Sequence, residues 1–112
     1  MALVINKDEL FRTGTGWKFE GFNFSDTNVS FFIIEAPPGK GAKLHYHPYE
    51  EVFVHLEGRA TFIVGEETIE AKPGQIIVAP PNVPHKFTNT GDTILKQIDI
   101  HPVSKMVQTD LE

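Results

Sequence analysis

Apolar and polar residues alternate along short segments of this 112-residue chain, and glycine, proline and asparagine separate the segments. Alternation with a period of two places successive side chains on opposite faces, which is typical of a half-buried β-strand. No segment has the period of a convincing amphipathic helix. The pattern predicts strands over Ala2–Asn6, Trp17–Phe24, Val29–Glu35, Lys43–His47, Glu51–Glu57, Arg59–Val64, Glu67–Ala71, Gln75–Val78, His85–Asn89 and Thr93–His101.

The turns between these strands have recognisable chemistry. Glu57–Ala60 and Val64–Thr68 are predicted hairpin turns, each around a glycine that tolerates a left-handed backbone. The proline-rich segment Ala79–His85 cannot be a central strand, because proline donates no ladder hydrogen bond. Many short strands at this spacing predict an all-β barrel or sandwich. The tail Val103–Glu112 is predicted to be a short helix or an extended arm.

Composition is that of one globular domain over residues 1–112. Hydrophobic residues make up 40% of the chain and charged residues 22%, which are ordinary proportions for such a domain. The net charge is −5, and the ten lysines and arginines are scattered along the chain. The absence of a basic patch argues against a nucleic-acid partner.

Cysteine is absent from the chain, which excludes disulfides and thiolate metal ligands and fits a reducing compartment. The first ten residues lack the features of a signal peptide. No apolar run approaches the ~20 residues that a membrane helix needs. We therefore expect a cytoplasmic protein without a membrane partner.

Candidate metal ligands concentrate in the segment "HYHPYEE" and after the proline-rich loop. His45 and His47 are two apart on a predicted strand, so their side chains project from the same face. Glu51 opens the next strand after a bend, and His85 follows a rigid loop. Three imidazoles and one carboxylate suit a divalent transition metal, whether Fe, Mn, Co, Ni, Cu or Zn. Four protein ligands leave up to two positions open on an octahedral ion.

Two spaced motifs resemble those of the cupin superfamily. Residues 39–58 resemble the first cupin motif: glycine, five residues, His-x-His, three residues, glutamate, six residues, glycine. Residues 74–89 resemble the second motif, whose fixed positions are matched by glycine, proline, histidine and asparagine. Asn82 stands where the family usually has glycine, and asparagine is among the residues that best tolerate a left-handed backbone.

The resemblance implies a small double-stranded β-helix, also called a jelly-roll or cupin barrel. It implies a divalent metal held by His45, His47, Glu51 and His85, a small-molecule substrate or ligand inside the barrel, and a homodimer. It does not fix the reaction, because members of the family range from dioxygenases and decarboxylases to isomerases and storage proteins.

His55 shares a strand face with Glu51 and Phe53. It is a candidate catalytic group that would move a proton near the substrate. The alternative is an interior histidine whose ring is satisfied by a neighbour.

Three further polar residues, Gln97, Asp99 and His101, share one face of the last predicted strand. They are either a polar lining of the cavity or the solvent face of an outer strand, and we favour the solvent face. On the preceding strand, Phe87 is expected to line the cavity and Asn89 to secure a turn.

Two functions from different classes follow. The first is a metal-dependent oxidoreductase, in its most specific form an Fe(II) dioxygenase that acts on a small organic substrate such as an enol, a phenol or a keto acid. The second is a non-catalytic binding module or scaffold. A sugar isomerase or epimerase is less favoured, because Lys43 is the only obvious cation on the ligand-bearing face for a phosphate.

Overall fold

Eleven short strands form the framework of this protein in the computed structural model, which describes residues 2–112. Every strand pairs antiparallel with its neighbours. The strands are β1 Phe11–Thr13, β2 Gly16–Phe19, β3 Ser30–Ala36, β4 Gly41–Tyr46, β5 Glu51–Glu57, β6 Ala60–Val64, β7 Glu67–Ala71, β8 Ile76–Ala79, β9 His85–Asn89, β10 Leu95–His101 and β11 Thr109–Asp110.

The strands form two sheets that pack face to face. One has six strands in the order β1-β2-β3-β10-β5-β8, and the other has five in the order β11-β4-β9-β6-β7. Consecutive strands therefore often lie in opposite sheets, as the chain winds back and forth between them. This is the predicted jelly-roll barrel, and the all-β prediction is confirmed.

A cluster of phenylalanines joins the two sheets. Phe53 on β5 packs against Phe62 on β6, with ring centroids 5.0 Å apart, and Phe87 on β9 lies 5.7 Å from Phe62. All three side chains are buried. Burial of rings of this size supplies much of the hydrophobic stabilisation of a small domain. These aromatic residues therefore hold the two sheets together.

The N-terminal part of the chain differs from the prediction. Ala2–Asn6 is not a strand, because no neighbouring strand lies beside it to complete a ladder. The predicted strand Trp17–Phe24 ends at Phe19 and is followed by a turn. That turn passes close to residues 27–29, where a Cβ on Gly21 would lie 1.9 Å from the carbonyl oxygen of Thr27. The short strand β1 was not predicted.

Within residues 2–112, helical structure is confined to two three-residue 3-10 turns, Lys7–Glu9 and Gly21–Asn23. Of the two alternatives predicted for the C-terminal tail, the short helix is wrong and the extended arm is confirmed: its strand β11 pairs with β4. Within residues 2–112 no helix has the length and apolar character needed to cross a membrane. The cytoplasmic location stays a prediction.

Candidate metal centre

The four predicted ligands lie together between the two sheets. His45 is near the end of β4 and pairs in register with His85, the first residue of β9. Glu51 is the first residue of β5, and His47 follows β4 directly. All four side chains are buried, and one potential ligand atom from each lies within 4.8 Å of the others. The strand pleat and the bend at residues 48–50 bring them together as predicted.

The carboxylate of Glu51 lies at the centre of this cluster. Its Oε1 atom is 2.9 Å from Nε2 of His85, 3.0 Å from Nε2 of His47 and 3.9 Å from Nε2 of His45. Adjacent donors on an octahedral ion with bonds of about 2.1 Å are about 3.0 Å apart, and opposite donors about 4.2 Å. The spacing therefore fits a first-row divalent ion.

Backbone carbonyls hold all three histidines in one tautomer. Nδ1 of His45 lies 2.6 Å from the carbonyl oxygen of Lys43, Nδ1 of His47 lies 2.7 Å from that of Val107, and Nδ1 of His85 lies 3.0 Å from that of Val83. A carbonyl oxygen only accepts, so each Nδ1 carries the proton and donates it. Each neutral imidazole then presents an unprotonated Nε2, which is the metal-binding form.

This tautomer has an electrostatic consequence. Three Nε2 lone pairs directed at a carboxylate oxygen repel it unless a positive charge lies among them. That charge is supplied either by extra protons on the imidazoles or by a cation. The donor set, with three nitrogens and one oxygen, suits a borderline transition metal better than Ca²⁺ or Mg²⁺. The side chains present therefore fit the predicted metal.

The charges within the cluster shift the pKa values of its members. Burial raises the pKa of Glu51, but the surrounding histidines, His101 foremost, outweigh burial and hold that pKa well below its usual range. Burial lowers the pKa of His45, whereas the Glu51 carboxylate and the Lys43 carbonyl raise it, and the net pKa is above 6.5. In the absence of a cation, the carboxylate thus stays ionised and favours protonation of His45.

His101 and Tyr49 contact the Glu51 carboxylate on its other oxygen, Oε2, directly and through His101 respectively. The Tyr49 hydroxyl donates to Nδ1 of His101 at 2.7 Å, which leaves the proton of His101 on Nε2. That nitrogen lies 3.2 Å from Oε2 of Glu51; the distance is that of an ion pair, although the geometry falls outside that of a hydrogen bond. Burial raises the pKa of Tyr49 to about 12, so Tyr49 stays a donor at neutral pH.

The favoured placement of Gln97, Asp99 and His101 on the solvent face is wrong. All three are buried, with 1%, 3% and 1% of their surfaces exposed. Strand β10 lies between β3 and β5 in the middle of its sheet, and its apolar residues Ile98 and Ile100 face outward. The polar residues of the strand are therefore the interior ones.

A cavity of about 430 Å³ adjoins the cluster on its His45 side. His45 and Glu51 line it, whereas His47 and His85 do not, so a ligand would reach the centre beside His45. Its walls combine apolar side chains with polar and charged ones in similar proportion. The other lining residues are Thr15, Phe32, Ile34, Ala42, Lys43, Phe53, Phe87, Asp99, Gln108, Asp110 and Glu112.

Asp99 and Glu51 are the buried carboxyl groups that line this cavity. The side-chain amide of Gln97 donates to Oδ1 of Asp99 at 2.8 Å. Burial raises the pKa of Asp99 well above its usual range, and the negative charge of Glu51 raises it further. Sequence reasoning considered Asp99 as a cavity residue but preferred the other face; the only sequence signal was its spacing of two from His101.

His55 lies deeper in the barrel. It is fully buried on the same face of β5 as Glu51 and Phe53, and its Nε2–H donates to the carbonyl oxygen of Gly58 at 2.7 Å. It is not among the residues that line the cavity. Its register partner on β10 is Gln97, and Nδ1 of His55 has no hydrogen-bond partner among residues 2–112.

Three smaller predictions are confirmed. Phe87 lines the cavity. Asn89 secures a turn, because its side-chain amide donates to the carbonyl oxygens of Ala36 and Thr93 at 2.8 Å each. Asn82, with φ of +63°, adopts the left-handed backbone expected at the position where the motif usually has glycine.

Comparison with known families agrees with this geometry. Residues 32–101 match the cupin domain family. The chain belongs to this family. The match includes all four clustered residues and the strands β4, β5, β9 and β10. It confirms the resemblance found in the two motifs.

Individual curated proteins match this chain over only part of their own length. The uncharacterized protein MJ1618 of Methanocaldococcus jannaschii is 41% identical over 61 residues, which are 54% of this chain and 49% of that protein. Dimethylsulfoniopropionate lyase DddQ of Ruegeria pomeroyi is 30% identical over 67 residues, or 59% of this chain and 33% of the lyase. The chain thus spans half or less of these curated relatives.

The fold is shared with larger enzymes. The structure of Bacillus subtilis oxalate decarboxylase, studied for its Mn(II) centres, superposes with a TM-score of 0.80. The superposition covers 91% of this chain and 29% of the decarboxylase, at 21% sequence identity. At this identity the likeness concerns the fold.

Proposed function

We propose that this cupin is a metal-dependent oxidoreductase that binds a divalent transition metal through His45, His47, Glu51 and His85. Its most specific form is a dioxygenase of a small organic substrate held in the cavity. One observation carries the proposal: three histidines, each with Nδ1 bonded to a backbone carbonyl, direct their Nε2 atoms at one buried carboxylate.

The chain's own residues have separable roles in this proposal. The carbonyls of Lys43, Val83 and Val107 orient the rings, and His101 holds the far oxygen of Glu51. The cavity gives a substrate access beside His45, and Phe32, Phe53 and Phe87 supply its apolar wall. A divalent metal, when bound, supplies Lewis-acid and redox chemistry.

The relatives support a metal-dependent cupin without selecting a reaction. One is described as a dimethylsulfoniopropionate lyase, and the structural neighbour is an oxalate decarboxylase with Mn(II) centres. The cavity has a volume of about 430 Å³, and ligand sites in proteins commonly have volumes of roughly 300–1,000 Å³. This volume favours a protein that binds a substrate over a scaffold whose barrel is filled by side chains. A sugar-phosphate isomerase is disfavoured, since Lys43 is the one cationic side chain lining the described cavity.

Oxygen uptake tests the proposed reaction class. Protein loaded separately with Fe²⁺, Mn²⁺ and Ni²⁺ is assayed in an oxygen electrode against flavonoids, catechols and diketones. We expect uptake with at least one pair of metal and substrate, and its loss in His47→Ala. Stoichiometric metal binding without turnover of any compound would favour the alternative, a non-catalytic small-molecule-binding cupin.

His55 enters the proposal as a positioning residue. It lies opposite Gln97 across β5 and β10, where facing side chains have Cβ atoms roughly 4.5–5.5 Å apart. Gln97 in turn donates to Asp99 on the cavity wall. We expect His55→Phe to change the pH dependence of turnover while leaving the metal stoichiometry at one. An unchanged pH profile would contradict this role.

We also propose that two copies associate through the outer face of the six-stranded sheet. Apolar residues occupy this face on three neighbouring strands, namely Val52 and Val54, Ile76 and Val78, and Ile98 and Ile100. Ile76 and Val78, on the edge strand β8, are 64% and 54% exposed. A self-complementary apolar face of this kind suits a two-fold dimer.

Sedimentation velocity tests the association. The wild-type chain is expected to sediment as a dimer, and the double variant Ile76→Lys/Val78→Lys as a folded monomer. Val4→Lys, which changes a highly exposed valine outside this face, is the matched control. A wild-type monomer would contradict the proposal.

A further inference from the structure

We propose that Asp99 sets the substrate class of the cavity: a molecule with a flat apolar body and a hydroxyl group in place of a carboxylate, such as a phenol, a catechol or an enol, whose hydroxyl pairs with the free oxygen of Asp99. The proposal rests on the metal-dependent function above and adds the group that discriminates between substrates.

The first step is the placement of Asp99. Its side chain is 97% buried, yet it lines the cavity together with Glu51 and His45. Gln97 donates to Oδ1 at 2.8 Å, and within residues 2–112 no donor reaches Oδ2. Oδ2 is not among the fully buried polar atoms that lack a partner within residues 2–112, so this oxygen retains some exposure. An oxygen that borders a cavity is therefore available to a ligand.

The second step is the chemistry of that oxygen. As a carboxylate, Asp99 accepts a hydrogen bond; as a carboxylic acid, it donates one from Oδ2 while Oδ1 still accepts from Gln97. A hydroxyl group both donates and accepts, so it pairs with Asp99 in either protonation state. A carboxylate of a substrate only accepts, so it can pair with Asp99 only while Asp99 is protonated.

The third step is the charge of the cavity. Four carboxyl side chains line it, those of Glu51, Asp99, Asp110 and Glu112, against the single ammonium group of Lys43. Glu112 is paired with Lys86 at 3.2 Å and Glu51 lies among four histidines, whereas Asp99 and Asp110 form no ion pair within residues 2–112. Among residues 2–112 no arginine borders it. Bidentate recognition of a carboxylate by side chains usually depends on arginine, so a dicarboxylate such as oxalate would meet the bound metal but no cationic side-chain clamp.

The fourth step is the shape of the walls. Phe32, Phe53 and Phe87 line the cavity with Ile34 and Ala42. Aromatic side chains favour a planar apolar ligand through edge and face contacts. The apolar walls and the hydroxyl-matching carboxyl therefore select the same molecules.

The test uses two probes with Co²⁺-loaded protein. 4-Nitrocatechol is followed by its absorbance, and oxalate is measured by competition with it. Elemental analysis and the visible spectrum of Co²⁺ first establish one bound ion in each variant. Kd values for both probes are then measured for the wild type, for Asp99→Asn and for Asp92→Asn, an exposed aspartate outside the cavity. A methylated probe, 2-methoxy-4-nitrophenol, tests the hydroxyl without any mutation.

We expect the wild type to bind 4-nitrocatechol at least tenfold more tightly than oxalate and than 2-methoxy-4-nitrophenol. In Asp99→Asn the amide places its NH₂ group towards the cavity, because its oxygen keeps the bond from Gln97. The preference for 4-nitrocatechol over oxalate should then fall at least tenfold, while Asp92→Asn behaves as wild type.

Two outcomes overturn the proposal. Equal affinity of wild-type protein for 4-nitrocatechol and its methylated analogue would remove the role of the hydroxyl. An unchanged preference in a Co²⁺-loaded Asp99→Asn variant would remove the role of Asp99. Failure of the wild type to bind Co²⁺ would instead overturn the proposed function together with this dependent step, and the initial metal measurement separates the two failures.

Discussion

Two strands, β6 and β10, show how differently the two sheets fill the barrel. The inward residues of β6 are Ala60, Phe62 and Val64, an apolar set that packs against the other sheet. The inward residues of β10 include Gln97, Asp99 and His101, which are as deeply buried but polar. The first strand stabilises the fold, whereas the second gives up hydrophobic burial and places titratable groups beside the candidate centre.

The largest effect should come from the apolar strand. Phe62→Ala removes a fully buried ring, and such changes cost roughly 3–5 kcal/mol through lost burial and the cavity left behind. Urea denaturation of metal-free protein measures the loss. The folded variant should still bind one metal ion, since Phe62 packs against Phe53 and Phe87 and is not one of the clustered residues; a selective loss of metal binding would contradict the separation of roles.

A smaller effect is expected from the layer that supports Glu51. Tyr49→Phe removes the hydroxyl that donates to His101, and loss of an outer contact of this kind typically weakens metal binding about 10–100-fold. Competition with a chromophoric chelator measures the affinity. Tyr46→Phe, a partly exposed tyrosine on β4, is the matched control. Equal affinities of the two variants would show that His101 does not need Tyr49.

The polar strand should also carry a stability cost that depends on pH. Because the pKa of Asp99 is raised by folding, the folded state holds a proton that the unfolded state has released. Stability therefore falls as pH rises from the unfolded pKa, about 3.9, towards the folded value. Asp99→Asn removes this slope and should make metal-free protein more stable at pH 8, by about 1–3 kcal/mol.

Urea denaturation at pH 5 and pH 8 measures this difference. The gain of Asp99→Asn over the wild type should be larger at pH 8, and the exposed substitution Asp92→Asn should show no gain at either pH. A variant that is less stable than wild type at pH 8 would mean that the Asp99 carboxylate is stabilised in the fold.

The contrast between the strands also explains which features the sequence could predict. His45, His47 and Glu51 lie within seven residues, so the pleat of β4 and the following bend predict their convergence. The sequence also predicted correctly that Gln97, Asp99 and His101 share one face of β10. The alternation of side chains does not show which of the two faces is interior. The outward Ile98 and Ile100 made the polar face look solvent-exposed, because the outer surface of this sheet is itself apolar.

Contacts between distant parts of the chain were beyond sequence reasoning. Val107 accepts from His47 across sixty positions, and Tyr49 meets His101 across fifty-two. These contacts depend on the path of the extended C-terminal arm and on the position of β10 between β3 and β5. Neither the path of the arm nor the position of β10 is encoded by a short sequence pattern. The four candidate ligands were therefore predictable, and the contacts of Val107, Tyr49 and His101 that support them were not.

Metal content as a function of pH tests the central claim most directly. Protein purified without chelator is dialysed at several pH values, and its metal content is measured by elemental analysis beside Glu51→Gln. Glu51 stays ionised in mild acid, whereas His45 has a raised pKa. Protons should therefore displace the ion by way of the histidines as pH falls below about 6.5.

We predict one divalent transition metal per chain at pH 7.5, nearly complete release at pH 4 and little metal in Glu51→Gln at either pH. Metal that stays bound at pH 4, or a wild-type chain that takes up no more metal than Glu51→Gln, would contradict the account.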